Sequence, residues 1–504
     1  MSKWKIAWRS IQQRGLASTL TALSMALGVM LVVAVISIHG LVEQSFRNNS
    51  SLGYNMIVGA TKGGRLQLVL NTVYYLSQPV ENIPYSYYQE FLSAEDVETY
   101  RQAVGIDELG VGRDGKFRLF TKFAIPICMG DYYGHFRVIG TTPQLFDDFV
   151  YDLNNGTTYQ FDQGRNFETF HETHGYFEAV IGAKVAREKQ LEIGSRIAAT
   201  HGDPEGELHD EHPFTVVGIL DMTGTPIDRG VFVNIEGFYL MDGHAKPVPQ
   251  DPREVPVQPP VPAGVIAATP PQTESKSTLT FQPLTVPERE VTAILIKTVN
   301  QVVTPGLMNT INEGNTAQAA LPVAEIYGLF TTIVGPIKQV LLALTVMICV
   351  VSGVSILVSI YNSMSDRQHE IAVMRALGAG RGTVMSVVLF EAIILALGGG
   401  LIGFCTGHTL IGTAGPTIED QTGVAIGFFD FPSVNVNEYF NVDWLIGAIN
   451  GVRGWGGYEP VSSLPVPTEL WLIPGLILLA VAVGLLPAMA AYRTDVSRAL
   501  SANP

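Results

Sequence analysis

The sequence predicts a membrane protein of four transmembrane α-helices, with a large α+β extracytoplasmic domain between the first two. Three observations lead there. Four segments are apolar over the ~20 residues that a spanning helix requires. Gly15–Val42, Gln339–Ser365 and Leu470–Tyr492 contain no Asp, Glu, Lys or Arg, and between Gly382 and Ile418 the only such residue is Glu391. Second, Lys and Arg gather on one side of an even number of spans: Lys3, Lys5, Arg9 and Arg14 before the first, Arg367, Arg375 and Arg381 between the second and third, Arg493 and Arg498 after the fourth. By the positive-inside rule both termini are cytoplasmic. Third, residues 43–338 are too many for a connection and must form a domain. The chain of 504 residues is 47% hydrophobic and 15% charged, with a net charge of −15. An acidic balance argues against nucleic acid as a partner.

Each element has its own warrant. In residues 1–14, Trp4, Ala7, Trp8 and Ile11 share one helical face and Lys5 and Arg9 fall elsewhere, the pattern of an amphipathic helix in the inner interface. The apolar run of the first span, residues 15–42, exceeds the ~7–15 residues of a signal-peptide core, so the span is read as uncleaved. In the domain, Met56–Gly59 reads as a strand. Lys62-Gly63-Gly64 after it lacks the Lys-Ser/Thr of a phosphate loop, and no Walker A stands anywhere in the chain. Short β-rich runs then alternate with glycine turns: Phe136–Gly140, Ala179–Gly182, Phe214–Leu220, Gly230–Ile235 and Val291–Thr298. A short helix followed by a glycine turn, within Ala183 to Ile197, lies between the second and third of them, so an α+β domain of two lobes is expected.

His171, His174, His201, His209 and His212 cluster in this domain beside Asp203, Glu205, Glu207, Asp210 and Glu211. The spacing His209-x-x-His212 suits a metal site, and histidine is the commonest metal ligand. The competing reading is a solvated acidic hairpin tip. Residues 246–287 are dense in proline and read as an extended insertion. Cys128, Cys349 and Cys405 are scattered and offer no disulfide framework.

The second span is placed at 339–363, the third at 383–412 and the fourth at 470–492, with a second extracytoplasmic segment at 413–469 and a cytoplasmic tail at 493–504. In the third span Gly399, Gly403 and Gly407 form a four-residue ladder that lets helices approach closely in lipid. Glu391 in the same span is costly in lipid and should face protein, most simply in a structural pairing.

Between the second and third spans, residues 364–382 read as a short cytoplasmic helix stopped by Gly378 and Gly380. The pattern Arg367, Glu370-Ile371-Ala372, Arg375-Ala376-Leu377-Gly378-Ala379, with Glu391 following, resembles the coupling region of FtsX-like, MacB-type ABC transporter permeases. The basic N-terminus, the order of motifs from Val180 to Ile235 and the exit around Pro487, Arg493, Asp495 and Leu500 are similar to the same family. The proline-dense insertion and the long 413–469 segment depart from its pattern.

That resemblance implies a transporter permease subunit without an ATPase site of its own. Arg367, Glu370, Arg375, Ala376, Leu377 and Gly378 would dock a cytoplasmic ABC ATPase subunit, which binds the ATP; no cofactor is expected in this chain. It further implies a second permease copy, in a homo- or heterodimer, and contact with lipid and with a periplasmic adaptor or lipoprotein. The location is a bacterial inner membrane, and the output is mechanical motion of the periplasmic domain. Lipoprotein, lipid, peptide and drug all stand open as substrates. The alternative class is a receptor or scaffold, independent of any ATPase, whose outer domain binds a ligand such as a metal. No catalytic constellation favours an enzyme.

Overall fold

The computed structural model describes residues 3–49, 53–105, 112–147, 149–152, 156–202, 205–241, 243–244, 282–366, 373, 375, 377–422, 426–435, 443–455, 461 and 465–493. The chain forms two compact units, Arg47–Tyr327 and Met1–Phe46 with Gly328–Pro504.

The first unit is built on one ten-stranded mixed sheet. Its strands are β1 (Met56–Gly59), β2 (Thr121–Tyr133), β3 (Phe136–Thr141), β4 (Phe161–Gly164), β5 (Glu178–Ile181), β6 (Arg196–Ile197), β7 (Phe214–Leu220), β8 (Gly230–Asn234), β9 (Ala293–Thr298) and β10 (Gln318–Ala320). They lie in the order β10-β1-β9-β2-β3-β8-β5-β7-β4, with β6 on β7. The sheet has two halves that share β2, within one compact unit rather than two separate lobes. The first half of β2 pairs with β9 from Thr121 to Ile127, and its second half pairs with β3 from Cys128 to Tyr133. Between Met129 and Tyr132 the register shifts. Such bulges re-aim a side chain, and here the residues inside the shift are Gly130 and Asp131.

β1, β5 and β8 are buried along their whole length, which explains their continuous apolar runs. One apolar core extends through both halves of the sheet, from Met56 and Val58 through Val138 and Phe214 to Ile294 and Ile311. Arg289 and Glu236 are buried within this unit as a bidentate pair at 2.7 and 2.9 Å. Tyr100 donates to Glu236 at 2.7 Å, and the Tyr85 and Tyr239 rings each lie 5.4 Å from the guanidinium. Burial pulls the Arg289 pKa down, but the Glu236 carboxylate outweighs that and raises it above the ordinary value.

The second unit contains the N-terminal helix Lys3–Gln13 and the long helices Gly15–Asn49, Gly335–Asp366, Arg381–Thr422 and Leu472–Arg493. Among the described residues four helices are long and apolar enough to cross a membrane. Their outer faces expose Leu16, Leu20, Val340, Val346, Leu401 and Leu478, as lipid-facing surfaces do. Within 413–469 the structure places a helix, Asp443–Trp455, and a two-stranded ribbon, Ser433–Asn435 with Pro465–Pro467. Most of the proline-dense stretch lies outside the described residues.

Candidate functional site in the span bundle

Span one (Gly15–Asn49) and span three (Arg381–Thr422) meet backbone to backbone. A Cβ on Gly399 would lie 2.7 Å from the Ala22 carbonyl oxygen, one on Gly403 would strike that of Ala26, and one on Gly407 would lie 3.3 Å from that of Met30. The three glycines step by four residues, and so do the carbonyls they face. Both series ascend together, so the two spans run parallel. Span two (Gly335–Asp366) joins span one through Ser24 and Ser352, whose hydroxyls are 3.1 Å apart, with Ser352 donating to the Ser24 carbonyl at 3.0 Å. In the structure the glycines of the ladder lie against span one.

Polar clasps close this packing at two places. Glu391 is buried and ion-paired with Arg14. Ser10 donates to its other oxygen at 3.0 Å, and Arg14 also donates to the Ser359 carbonyl in span two at 3.1 Å. One carboxylate thus gathers the N-terminal helix and spans one, two and three. Trp4 packs edge-on against Phe390, with ring centroids 6.4 Å apart. On the N-terminal helix it is Ala7 and Ser10 that are buried, while Trp4 and Trp8 stay half exposed. An ionised side chain in a span is costly, and the Arg14 ion pair with the Ser10 hydrogen bond offsets that cost at Glu391.

The second clasp was not evident from the sequence. His408 of span three lies 2.8 Å from Glu469, which opens span four (Leu472–Arg493) as part of a short 3₁₀ turn. Ser37 of span one donates to the other Glu469 oxygen. All three are buried, and the rings of Phe404, Phe428 and Phe431 surround the imidazole at 4.6, 5.6 and 5.0 Å.

Of the six expected coupling residues, Arg367, Glu370 and Ala376 lie outside the described residues. Arg375 is partly buried, Leu377 is exposed, and Gly378 donates to the Arg375 carbonyl at 3.0 Å. Gly378 has φ +99°, a left-handed conformation that only glycine adopts without strain.

The expected metal pair is not brought together. His212 packs on the Phe177 ring at 5.2 Å, whereas His209 meets Asp131, His201 and His244. The reason is local geometry. Ligands at i and i+3 converge on a helix, and residues 209–213 are not helical. A second cluster, His171, His174 and Glu178, is saturated by protein. Glu178 accepts from Arg165 at 2.9 and 2.6 Å, from the Glu168 backbone at 3.1 Å and from His174 at 2.9 Å. Burial pushes the Glu178 carboxyl up, but these donors together hold it below its ordinary value.

Comparison with known proteins fits this architecture. The family model described as MacB-like periplasmic core domain matches residues 18–275, and that described as FtsX-like permease C-terminal matches residues 342–496. Over 94 residues the chain is 30% identical to an uncharacterized ABC transporter permease, YknZ, of Bacillus subtilis, covering 19% of this chain and 22% of that protein. Over 104 residues it is 29% identical to the macrolide export ATP-binding/permease protein MacB of Rhodopirellula baltica, covering 21% of this chain and 15% of that one. The chain thus spans less than a quarter of either relative.

Proposed function

From the premise that this chain belongs to the FtsX-like, MacB-type family of ABC transporter permeases, we propose that it transmits the work of a separate ATPase subunit to its α/β domain. The observation that carries this reading is the FtsX-like match over residues 342–496, which contains the whole of the 364–382 stretch. That stretch joins spans two and three. The Glu391 clasp ties the same two spans to the N-terminal helix. A push on 364–382 would therefore reach three spans through one carboxylate. Gly378 takes a left-handed conformation near the end of this stretch.

In this reading Arg367, Glu370 and Arg375 face the ATPase, Leu377 adds an exposed apolar contact, and ATP is held by the partner. A second permease copy completes the assembly. The termini and the 364–382 stretch are cytoplasmic, and the α/β domain stands on the outer face of a bacterial inner membrane. Its cargo is a lipoprotein, lipid, peptide or drug, and Glu391 is structural rather than a proton carrier.

The test is the double variant Glu370→Ala with Arg375→Ala in the full-length protein. It should insert and purify like the parent but lose ATPase association and stimulated hydrolysis. Truncating one side of a desolvated charged contact costs ~2–5 kcal/mol, roughly 30-fold or more in affinity. Unchanged pull-down together with unchanged hydrolysis would reject the coupling role.

A further inference from the structure

We propose that Asp131, His201, His209 and His244 hold a divalent transition-metal ion of the zinc class, independently of the transport reading. One ligand atom from each lies within 4.8 Å of all the others. They come from three separate parts of the fold. Asp131 sits in the bulge of β2. Beside it Tyr132 and Thr200 exchange backbone hydrogen bonds at 3.0 and 2.8 Å, and His201 donates to the Glu207 carbonyl and His209 to that of Ala199, each at 2.8 Å. These bonds hold His201 and His209 on the two arms of a hairpin laid along β2. His244 donates its backbone N–H to Met241 at 3.3 Å, and its ring packs on Phe238 at 4.5 Å.

The distances suit coordination. Imidazole nitrogens of His244, His201 and His209 lie 3.0, 3.4 and 3.6 Å from Asp131 oxygens. Two ligand atoms on one tetrahedral zinc, each at ~2.0–2.1 Å, are separated by about 3.3–3.4 Å. The three rings are spread rather than stacked, with centroids 5.1–5.5 Å apart and interplanar angles of 59–89°. His171 and His174, by contrast, stack at 21°.

Burial supplies the second argument. The Asp131 side chain is fully buried, yet neither carboxylate oxygen accepts a hydrogen bond from the described residues. A buried carboxylate in that condition is strongly unfavourable. Glu178, equally buried, shows the contrast, because Arg165 and a backbone N–H satisfy it. Arg137 makes no hydrogen bond to Asp131: its Nη2 donates to the Ser77 carbonyl at 2.7 Å, and the guanidinium lies over the Tyr132 ring at 4.3 Å. A metal ion is the group that would compensate Asp131 while using imidazole lone pairs.

Three imidazoles and one carboxylate select zinc over calcium or magnesium, which prefer oxygen ligands. Four protein ligands make a closed, structural site. It would pin the hairpin and the chain just before the proline-dense stretch to β2. On the far side of that stretch, Arg289 is locked into Glu236. His201, half exposed, leaves a route by which a chelator can reach the ion.

The experiment uses the full-length protein in detergent, purified without a histidine tag, stripped with chelator and dialysed against zinc. About one zinc per chain should remain, the melting temperature should rise, and cobalt in its place should give the visible absorption of a four-coordinate ion. His201→Ala and His209→Ala should each weaken zinc binding at least about tenfold, while His174→Ala and His212→Ala should not. The variants are placed at the histidines because the Asp131 side chain is fully buried. Two results would overturn the proposal: no retained zinc with an unchanged melting temperature, or zinc binding that survives both His201→Ala and His209→Ala.

Discussion

Glu236 in the α/β unit and Glu391 in the span bundle are both buried acids paired with arginine, but their surroundings differ. Glu236 and Arg289 form a two-bond fork, closed by Tyr100 and flanked by two tyrosine rings, in the middle of a continuous core. Glu391 gathers Arg14 and Ser10, each from an element other than its own. Glu469 does the same with His408 and Ser37. Between these two clasps, the glycines of span three lie against the carbonyls of Ala22, Ala26 and Met30 and the side chains of Met25, Val29 and Val33 in span one. The α/β unit therefore uses a buried charge to complete one packed arrangement. The bundle uses buried charges to decide where otherwise smooth helices come to rest. Loss of a pair in the first should act on folding, whereas loss of packing in the second should act on how the spans seat.

The strongest way to break this contrast is Arg289→Ala. It leaves Glu236 buried without its cation, which costs ~3–5 kcal/mol. Chemical denaturation of the full-length protein, followed by a probe in the α/β domain, should show that loss. A cost below ~1 kcal/mol, the range of exposed pairs, would mean that the core tolerates the charge and that the two regions do not differ.

Gly403→Leu sharpens the other side of the comparison. Its side chain must displace the Ala26 carbonyl, and overpacking of this kind costs ~1–3 kcal/mol. Gly398→Leu, where an added Cβ meets nothing within 4 Å, should be neutral. Melting temperatures of the two variants in detergent should separate them, and equal behaviour would remove the ladder from the argument.

The smallest expected effect is a pH dependence in the α/β unit. The Glu178 carboxyl is held below its ordinary value, so its contribution is complete above the unfolded glutamate pKa of ~4.3 and disappears as pH falls through the folded value. Stability should decline on acidification below about pH 4–5, and Glu178→Gln should flatten that slope. An identical slope in the variant would show that Arg165 and His174 do not act on Glu178 as described.

The spans were legible because lipid demands long uncharged runs, and β1, β7 and β8 because burial on both faces leaves continuous apolar stretches. β2 was passed over. It contains Pro126, which argues against an interior strand, and its bulge at Asp131 breaks the alternation. In the structure Pro126 pairs with Ile294 and its carbonyl accepts from Thr141 at 3.0 Å. Missing β2 also hid Asp131, the carboxylate that the proposed metal site gathers with His201, His209 and His244. His408 escaped notice for a different reason: it is neutral in a charge count, so span three appeared to carry Glu391 alone. Its partner Glu469 was assigned to the segment outside the span.

The ladder between spans one and three has a consequence for motion. Ala22, Ala26 and Met30 present their carbonyls at the same four-residue interval as Gly399, Gly403 and Gly407. Slide one helix past the other by a turn, about 5.4 Å, and Gly403 falls where Gly399 was, against an equivalent carbonyl. The same step brings Ile411 to the place of Gly407, against Val33 and the Met30 carbonyl. A β-branched side chain has no room there, so the three-glycine seam itself favours the observed register, and Ser10, Arg14 and Ser37, which bind span three or its neighbour, hold it there.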